Sequence, residues 1–191
     1  MLAGVPAFPP TMAATEAWPP NLVAATRRLH PLGVVVVAQP SQPPLPFADA
    51  AFDLVTSRHP AVIWWSEIAR VLRPGGHYFA QHVGPESMLE LYEWFLGPQP
   101  DQRHPRHPDH ETALARAAGL TVTQARMQRL PVSFFDIGAV VYFLRKVVWT
   151  VPDFSIERYR ERLLELHRVV EREGAFTTHS CRVLIEARMP A

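Results

Sequence analysis

Val34 to Val37 form an unbroken β-branched run behind Pro31 and Gly33. A continuous apolar run of this kind predicts a strand buried on both faces, as in a parallel sheet. "FDLVT" at 52–56 and "HYFAQHV" at 77–83 predict two further strands. Between them, "AVIWWSEIARVL" at 61–72 places Val62, Trp65, Ile68, Ala69 and Leu72 at helical spacing. Strand, helix, strand in that order predicts a right-handed βαβ crossover. Upstream, a short strand at 12–15 leads to a helix over "NLVAATRRLH", 21–30, with Asn21 as its N-cap. This alternation predicts an α/β fold built on a parallel sheet.

The second half is more mixed. Residues 85–96 and 110–119 read as helices, the latter stopped by Gly119, and 120–128 has strand character. A helix is predicted over 135–147 with Asp136 as N-cap. An amphipathic helix follows over 155–174, begun by Ser155 and ended by Gly174. Its acid–base pairs fit a solvated face. "CRVLIEAR" at 181–188 reads as a closing strand. Prolines cluster at 6–10, 40–46 and 98–108, which marks connections.

The bulk numbers narrow the function. With 191 residues and 48% hydrophobic positions the chain suits one domain with a sizeable core. A formal net charge of +1 gives no electrostatic case for a dedicated nucleic-acid or membrane binder. The apolar segment "VSFFDIGAVVYFL" is too short to span a bilayer and contains Asp136. "MLAGVPAFPPTMAA" lacks a basic start and is broken by Pro6, Pro9 and Pro10, unlike a signal peptide. The single cysteine, Cys181, fits a cytoplasmic location.

Two stretches carry more specific information. In "PLPFADAAFDLVTSRH", 44–59, Leu45 and Phe47 flank Pro46 as an apolar clip ahead of a turn and a strand. In "SEIARVLRPGGHYFAQHVG", 66–84, Pro74 ends a helix and Gly75-Gly76 permits a tight turn into the next strand. Together these resemble the class I S-adenosylmethionine-dependent methyltransferases, of the type 11-like domain. The resemblance implies a doubly wound, Rossmann-like sheet, mostly parallel with an antiparallel C-terminal strand. It implies one domain over 1–191, with 12–84 as the cofactor-side half and 85–191 as a C-terminal half with extra helices. It implies S-adenosyl-L-methionine as cofactor. Glu16 then stands where such proteins hold the ribose, with Ala17 and Trp18 beside it. Gln39 and Pro40, or Gln42, fall in the adenine loop, where an Asp is frequent. Ser57 and Arg58 continue the cofactor site, and Arg58 and His59 face the acceptor.

The chain departs from that pattern at its start. In the family, a first strand and a glycine-rich turn come before the strand that ends on the ribose acid. Here only Gly4 precedes Glu16, and "LAGVPAFPP" resembles a remnant of the helix that would follow the turn. The expected outcome is an N-terminally truncated sheet without its first central strand. A slot should then separate the strand ending near Glu16 from 52–56, within one sheet. Poor binding of S-adenosylmethionine by residues 1–191 is also expected. One reading is a methyltransferase whose acceptor is a small molecule. RNA is weakly supported, since Arg103, Arg106, Arg126 and Arg129 are scattered. The alternative is a non-catalytic remnant that acts as a folded or dimerising module. No catalytic side chain is assigned, because the sulfonium is already activated. His104, His107 and His110, beside Asp109, have metal-ligand chemistry, but Pro105 and Pro108 keep them off one helix face. A solvated loop is expected there, with no metal.

Overall fold

The computed structural model describes residues 4, 7–40, 42–99 and 106–191. Contacts group the chain into two compact units, residues 1–51 and 52–191. In the first, β1 (Ala13–Glu16) pairs in parallel with β2 (Val35–Ala38), from Ala13↔Val35 to Glu16↔Ala38. The connection is α1 (Pro19–Leu29) and a 3-10 turn over His30–Leu32. The helix starts two residues before the expected Asn21, and Trp18 occupies the N-cap place. Pro19 and Pro20 explain this: their fixed φ suits the first helical turn, where no amide hydrogen is needed. Gly33, at φ 82°, turns the chain into β2. Residues 2, 3, 5 and 6 of "LAGVPAFPP" lie outside the described residues, and Ala7 to Pro9 carry no regular structure.

The second unit holds a four-stranded sheet in the order β3-β4-β6-β5. Its strands are β3 (Phe52–Arg58), β4 (Leu72–Val83), β5 (Thr121–Phe134) and β6 (Phe176–Arg188). β3 and β4 are parallel, and β6 runs against both β4 and β5. Three strands therefore point one way and only the C-terminal strand is reversed, as the resemblance implies. The expectation was one sheet with an open slot between the strand near Glu16 and 52–56. The strands fall into two sheets, and among the described residues no strand pairs with both β1 and β3.

α2 (Trp65–Val71) and α4 (Pro108–Ala117) cover one face of this sheet. Trp65, Ile68 and Ala69 pack there on Tyr78, Ala80, Val183 and Ile185. A second core joins α3 (Leu89–Leu96), α5 (Ile137–Lys146) and α6 (Arg160–Glu173) through Leu91, Phe95, Leu144 and Leu166. Among the described residues no helix is long and apolar enough to cross a membrane.

Several boundaries shift for readable reasons. β4 begins at Leu72, so the expected glycine turn lies inside it, between Leu72 and His77, opposite a register shift between Phe52 and Leu54 of β3. Gly75 sits at φ 76°, and a Cβ on Gly76 would come within 2.9 Å of the Arg73 carbonyl oxygen. β5 continues to Phe134, past the expected end at 128, and β6 begins at Phe176 rather than 181. β4 makes its last pair at Val83↔Arg182, so the rest of β5 and β6 is a two-stranded ribbon. Its exposed Arg129, Leu130 and Pro131 lack the alternation that marks a half-buried strand. Pro131 is tolerated because β5 is an edge strand. α6 starts at Arg160, while the Ser155 hydroxyl accepts from the Arg158 amide at 3.1 Å in the turn before it.

Asp136 caps α5 as expected: its Oδ1 accepts from the Ala139 amide at 2.7 Å. Asp136→Ala should lower the unfolding free energy by about 0.5–2 kcal/mol in urea titration. Asp136→Asn, which keeps an acceptor, should cost far less.

Candidate functional site

In the first unit, Glu16 is the last residue of β1 and Gln39 follows β2. The Gln39 amide donates to the Glu16 carbonyl at 3.0 Å, so the ladder brings the two side by side. Thr15 Oγ1 lies 3.3 Å from Gln39 Oε1. Glu16 Oε1 accepts from the Trp18 amide at 2.9 Å. Because Pro19 and Pro20 have no amide hydrogen, Trp18 offers the last such donor before the helix, and the carboxylate is held by it. The Trp18 ring is 60% exposed. Ala17 is exposed and Pro40 half-buried beside them. The structure thus gathers Glu16, Trp18 and Gln39 at the carboxyl ends of two parallel strands. A carboxylate fixed at such a corner can accept from two vicinal hydroxyls, and an exposed indole beside it offers a stacking face.

In the second unit, Ser57 and Arg58 end β3 and His59 follows at φ 50°, an uncommon conformation for a residue with a Cβ. One residue of β4 holds His59 twice. The His59 amide donates to the Gln81 carbonyl at 2.8 Å, and ring Nε2 lies 3.1 Å from Gln81 Oε1. Burial pushes the His59 pKa down. Arg182 and Arg58 add to this, against the hydrogen bond to Gln81. The ring is therefore neutral near pH 7.

A buried polar network beneath this point was not anticipated. Tyr78 is hydrogen-bonded to Ser57, and its hydroxyl lies 3.0 Å from His82 Nε2. The Trp65 indole donates to Glu111 Oε2 at 3.2 Å. Burial raises the Tyr78 pKa to about 12, with Ser57 opposing. Burial lowers that of His82 to about 4, assisted by Arg106 and His59. Burial also raises Glu111, against Trp65 and Arg106. His82 is fully buried, and its Nδ1 lies 4.0 Å from Glu111 Oε2. A neutral histidine at that distance is a core group and not an ion pair. The signal was present in the sequence: His82 continues the inward alternation of Tyr78 and Ala80.

A second polar cluster ties α3 to the ribbon. Glu90 Oε2 accepts from the Thr178 hydroxyl at 2.7 Å and the His179 amide at 3.1 Å. Its Oε1 meets Arg129 at 2.9 Å and His179 Nδ1 at 2.7 Å. Burial works to raise the Glu90 pKa, but these hydrogen bonds, led by Thr178, outweigh it and hold it at about 2. A depressed carboxylate stabilises the fold above its unfolded pKa, and that stability is lost as pH falls through the folded value. The window here runs from near 4.5 down to about 2. Glu90 is about a third exposed, so after solvent screening the effect is about 1–2 kcal/mol. Acid unfolding of Glu90→Gln should show a shallower slope in that window.

The other candidates have local roles. His107 precedes α4, and its Nδ1 accepts from the Asp109 amide at 3.3 Å. His104 and Arg103 lie outside the described residues. Among the described residues no three His, Cys, Asp or Glu side chains gather to hold a metal. Arg106 donates to the Ala61 carbonyl at 2.6 Å.

The parallel β1-β2 pair and the four-stranded sheet with its one reversed strand are each of α/β type. Residues 5–80 match the profile of the methyltransferase domain family. Solved structures agree on the fold. The YcgJ protein of Bacillus subtilis aligns with a TM-score of 0.63 at 18% identity, over 95% of this chain and 83% of that one. A Bacillus halodurans protein provisionally described as a methyltransferase gives 0.61 at 17% identity, over 94% and 83%. Phosphoethanolamine N-methyltransferase 2 of Haemonchus contortus, solved with S-adenosyl-L-methionine, gives 0.52 at 16% identity. That alignment covers 94% of this chain and 43% of the larger protein. No curated protein sequence matches the chain.

Proposed function

We propose that this protein is an S-adenosylmethionine-dependent methyltransferase acting on a small-molecule acceptor. The observation that carries the reading is the corner formed by Glu16, Trp18 and Gln39 inside the segment matched by the methyltransferase profile. The donor set fits the cofactor: Glu16 would accept from both ribose hydroxyls, Trp18 would cover an apolar ring face, and Gln39 and Pro40 would border the adenine. Ser57 and Arg58 are the further cofactor contacts, and Arg58 and His59 the acceptor-side groups. When bound, S-adenosylmethionine supplies a methyl group already activated on a sulfonium. What remains for the protein is to align the acceptor and exclude water. The neutral His59 ring, fixed by Gln81, is placed to take the proton an acceptor releases.

A small acceptor is favoured over RNA by the net charge of +1. It is also favoured because, among the described residues, Arg129 is engaged by Glu90 and Arg106 by a backbone carbonyl. A second reading is a folded or dimerising module without catalysis. Incubation with methyl-labelled cofactor and panels of amines, phenols, carboxylic acids and RNA separates the two. Label in a small molecule with formation of S-adenosylhomocysteine is expected. Label in RNA alone would overturn the acceptor class, and no transfer to any acceptor would favour the second reading.

A further inference from the structure

The pairing of β3, β4 and β6 places two arginines on one face of the sheet. Arg58 is directly opposite Gln81, Gln81 opposite Leu184, and Val83 opposite Arg182. Residues paired across strands share a face, and so do residues two apart along a strand. Arg58, Gln81 and Arg182 therefore project from the same side, opposite to the buried side of Tyr78, Ala80 and His82. Two strands across and two residues along put the arginine Cα atoms about 12 Å apart. Two long side chains can close that span. The His59 ring joins them, because Gln81 holds it.

Among the described residues the charge of this group has no counter-ion. Arg70, Arg73, Arg129, Arg158, Arg162 and Arg172 each meet a carboxylate. Among the described residues no carboxylate lies within 4.0 Å of Arg58 or Arg182. Arg182 Nη1 reaches only the Ser87 hydroxyl, at 3.4 Å, and the Cys181 carbonyl, at 3.0 Å. Arg182 is half-buried, and burial lowers its pKa. Cys181 opposes that and Arg58 adds to it, so the two guanidinium groups sense each other. Glu86 is the acid whose field reaches the neighbouring Cys181. A partly buried cation without a counter-ion is costly unless a ligand supplies one. The planar guanidinium fork matches carboxylate and phosphate oxygens two at a time.

We propose that Arg58 and Arg182 form an oxyanion-binding pair that recognises a carboxylate or phosphate group on the methyl acceptor, beside His59. This rests on the methyltransferase reading and narrows its substrate class to small anionic molecules.

Binding of benzoate and of phenyl phosphate to the full chain, followed by calorimetry at low salt, tests the pair without cofactor. At least one probe should bind with a Kd of about 1 mM or below, and the tighter one identifies the anion. Arg182→Gln and Arg58→Gln should each weaken binding at least fivefold, while Arg160→Gln, outside the cluster, should not. Arg58 is exposed at a strand end, so its variant keeps the test open if Arg182→Gln misfolds. Absence of binding by either probe at 10 mM, or unchanged binding in Arg58→Gln, would overturn the proposal. Displacement of the probe by S-adenosylhomocysteine would also overturn it, because the anion held there would then be the cofactor's own carboxylate. Failure of methyl transfer with retained probe binding would instead count against the enzymatic reading alone.

Discussion

Leu166→Ala is expected to lower the unfolding free energy by about 2–5 kcal/mol. The periodicity of 155–174 already sets an apolar stripe along this helix, and α6 buries Leu163, Leu166 and Val170 as that stripe. Leu166 is fully buried in the core shared with α3 and α5, among Leu91, Phe95, Val140 and Leu144. Truncation removes its buried methyl groups and leaves a cavity whose walls belong to three helices, so relaxation is partial. Leu164 provides the internal control. It is 43% exposed and borders a shallow apolar groove of about 220 Å³ with Ile137, Val141 and Ile156. Leu164→Ala should change stability by about 1 kcal/mol or less. Urea denaturation of both variants checks the pair, and equal losses would mean that α6 packs differently.

The fold was largely legible in the sequence because its strands are strongly patterned. Val34–Val37, 52–56 and 77–83 are apolar runs between clear turn signals, and each lies in or against a strand. Asp136 and Gly174 act at helix ends as their chemistry dictates. The misses share a cause. Asn21 is a good capping residue, but two prolines just ahead of it claim the first helical turn. The ribbon halves of β5 and β6 are held by pairing with each other and by the Glu90 cluster. Neither support leaves a hydrophobic period. The site was legible only in part. Glu16 and Gln39 are adjacent because β1 and β2 are, which the parallel-sheet reading already implied. Gln81 as the clamp on His59, and Arg182 on the face shared with Arg58, depend on a register joining residues distant in the chain.

Glu16→Ala is expected to abolish measurable cofactor binding. A carboxylate gripping two ribose hydroxyls loses charge-assisted hydrogen bonds of about 1.5–3 kcal/mol each, so the loss in affinity is at least tenfold. The starting affinity should itself be weak, since the Trp18 ring is 60% exposed and water competes at the corner. The substitution also removes the acceptor for the Trp18 amide, which Glu16→Gln retains. If the amide variant binds as poorly as the alanine variant, the charge and not the local turn is what the cofactor requires.

The most direct test is a titration of S-adenosylhomocysteine into residues 1–191, followed by nitrogen-edited NMR up to several millimolar. The predicted result is saturable shifts at Glu16, Trp18 and Gln39, with a Kd well above the micromolar range, absent in Glu16→Ala. Shifts elsewhere that survive Glu16→Ala, or no response at all, would contradict the assignment of this corner as the cofactor site.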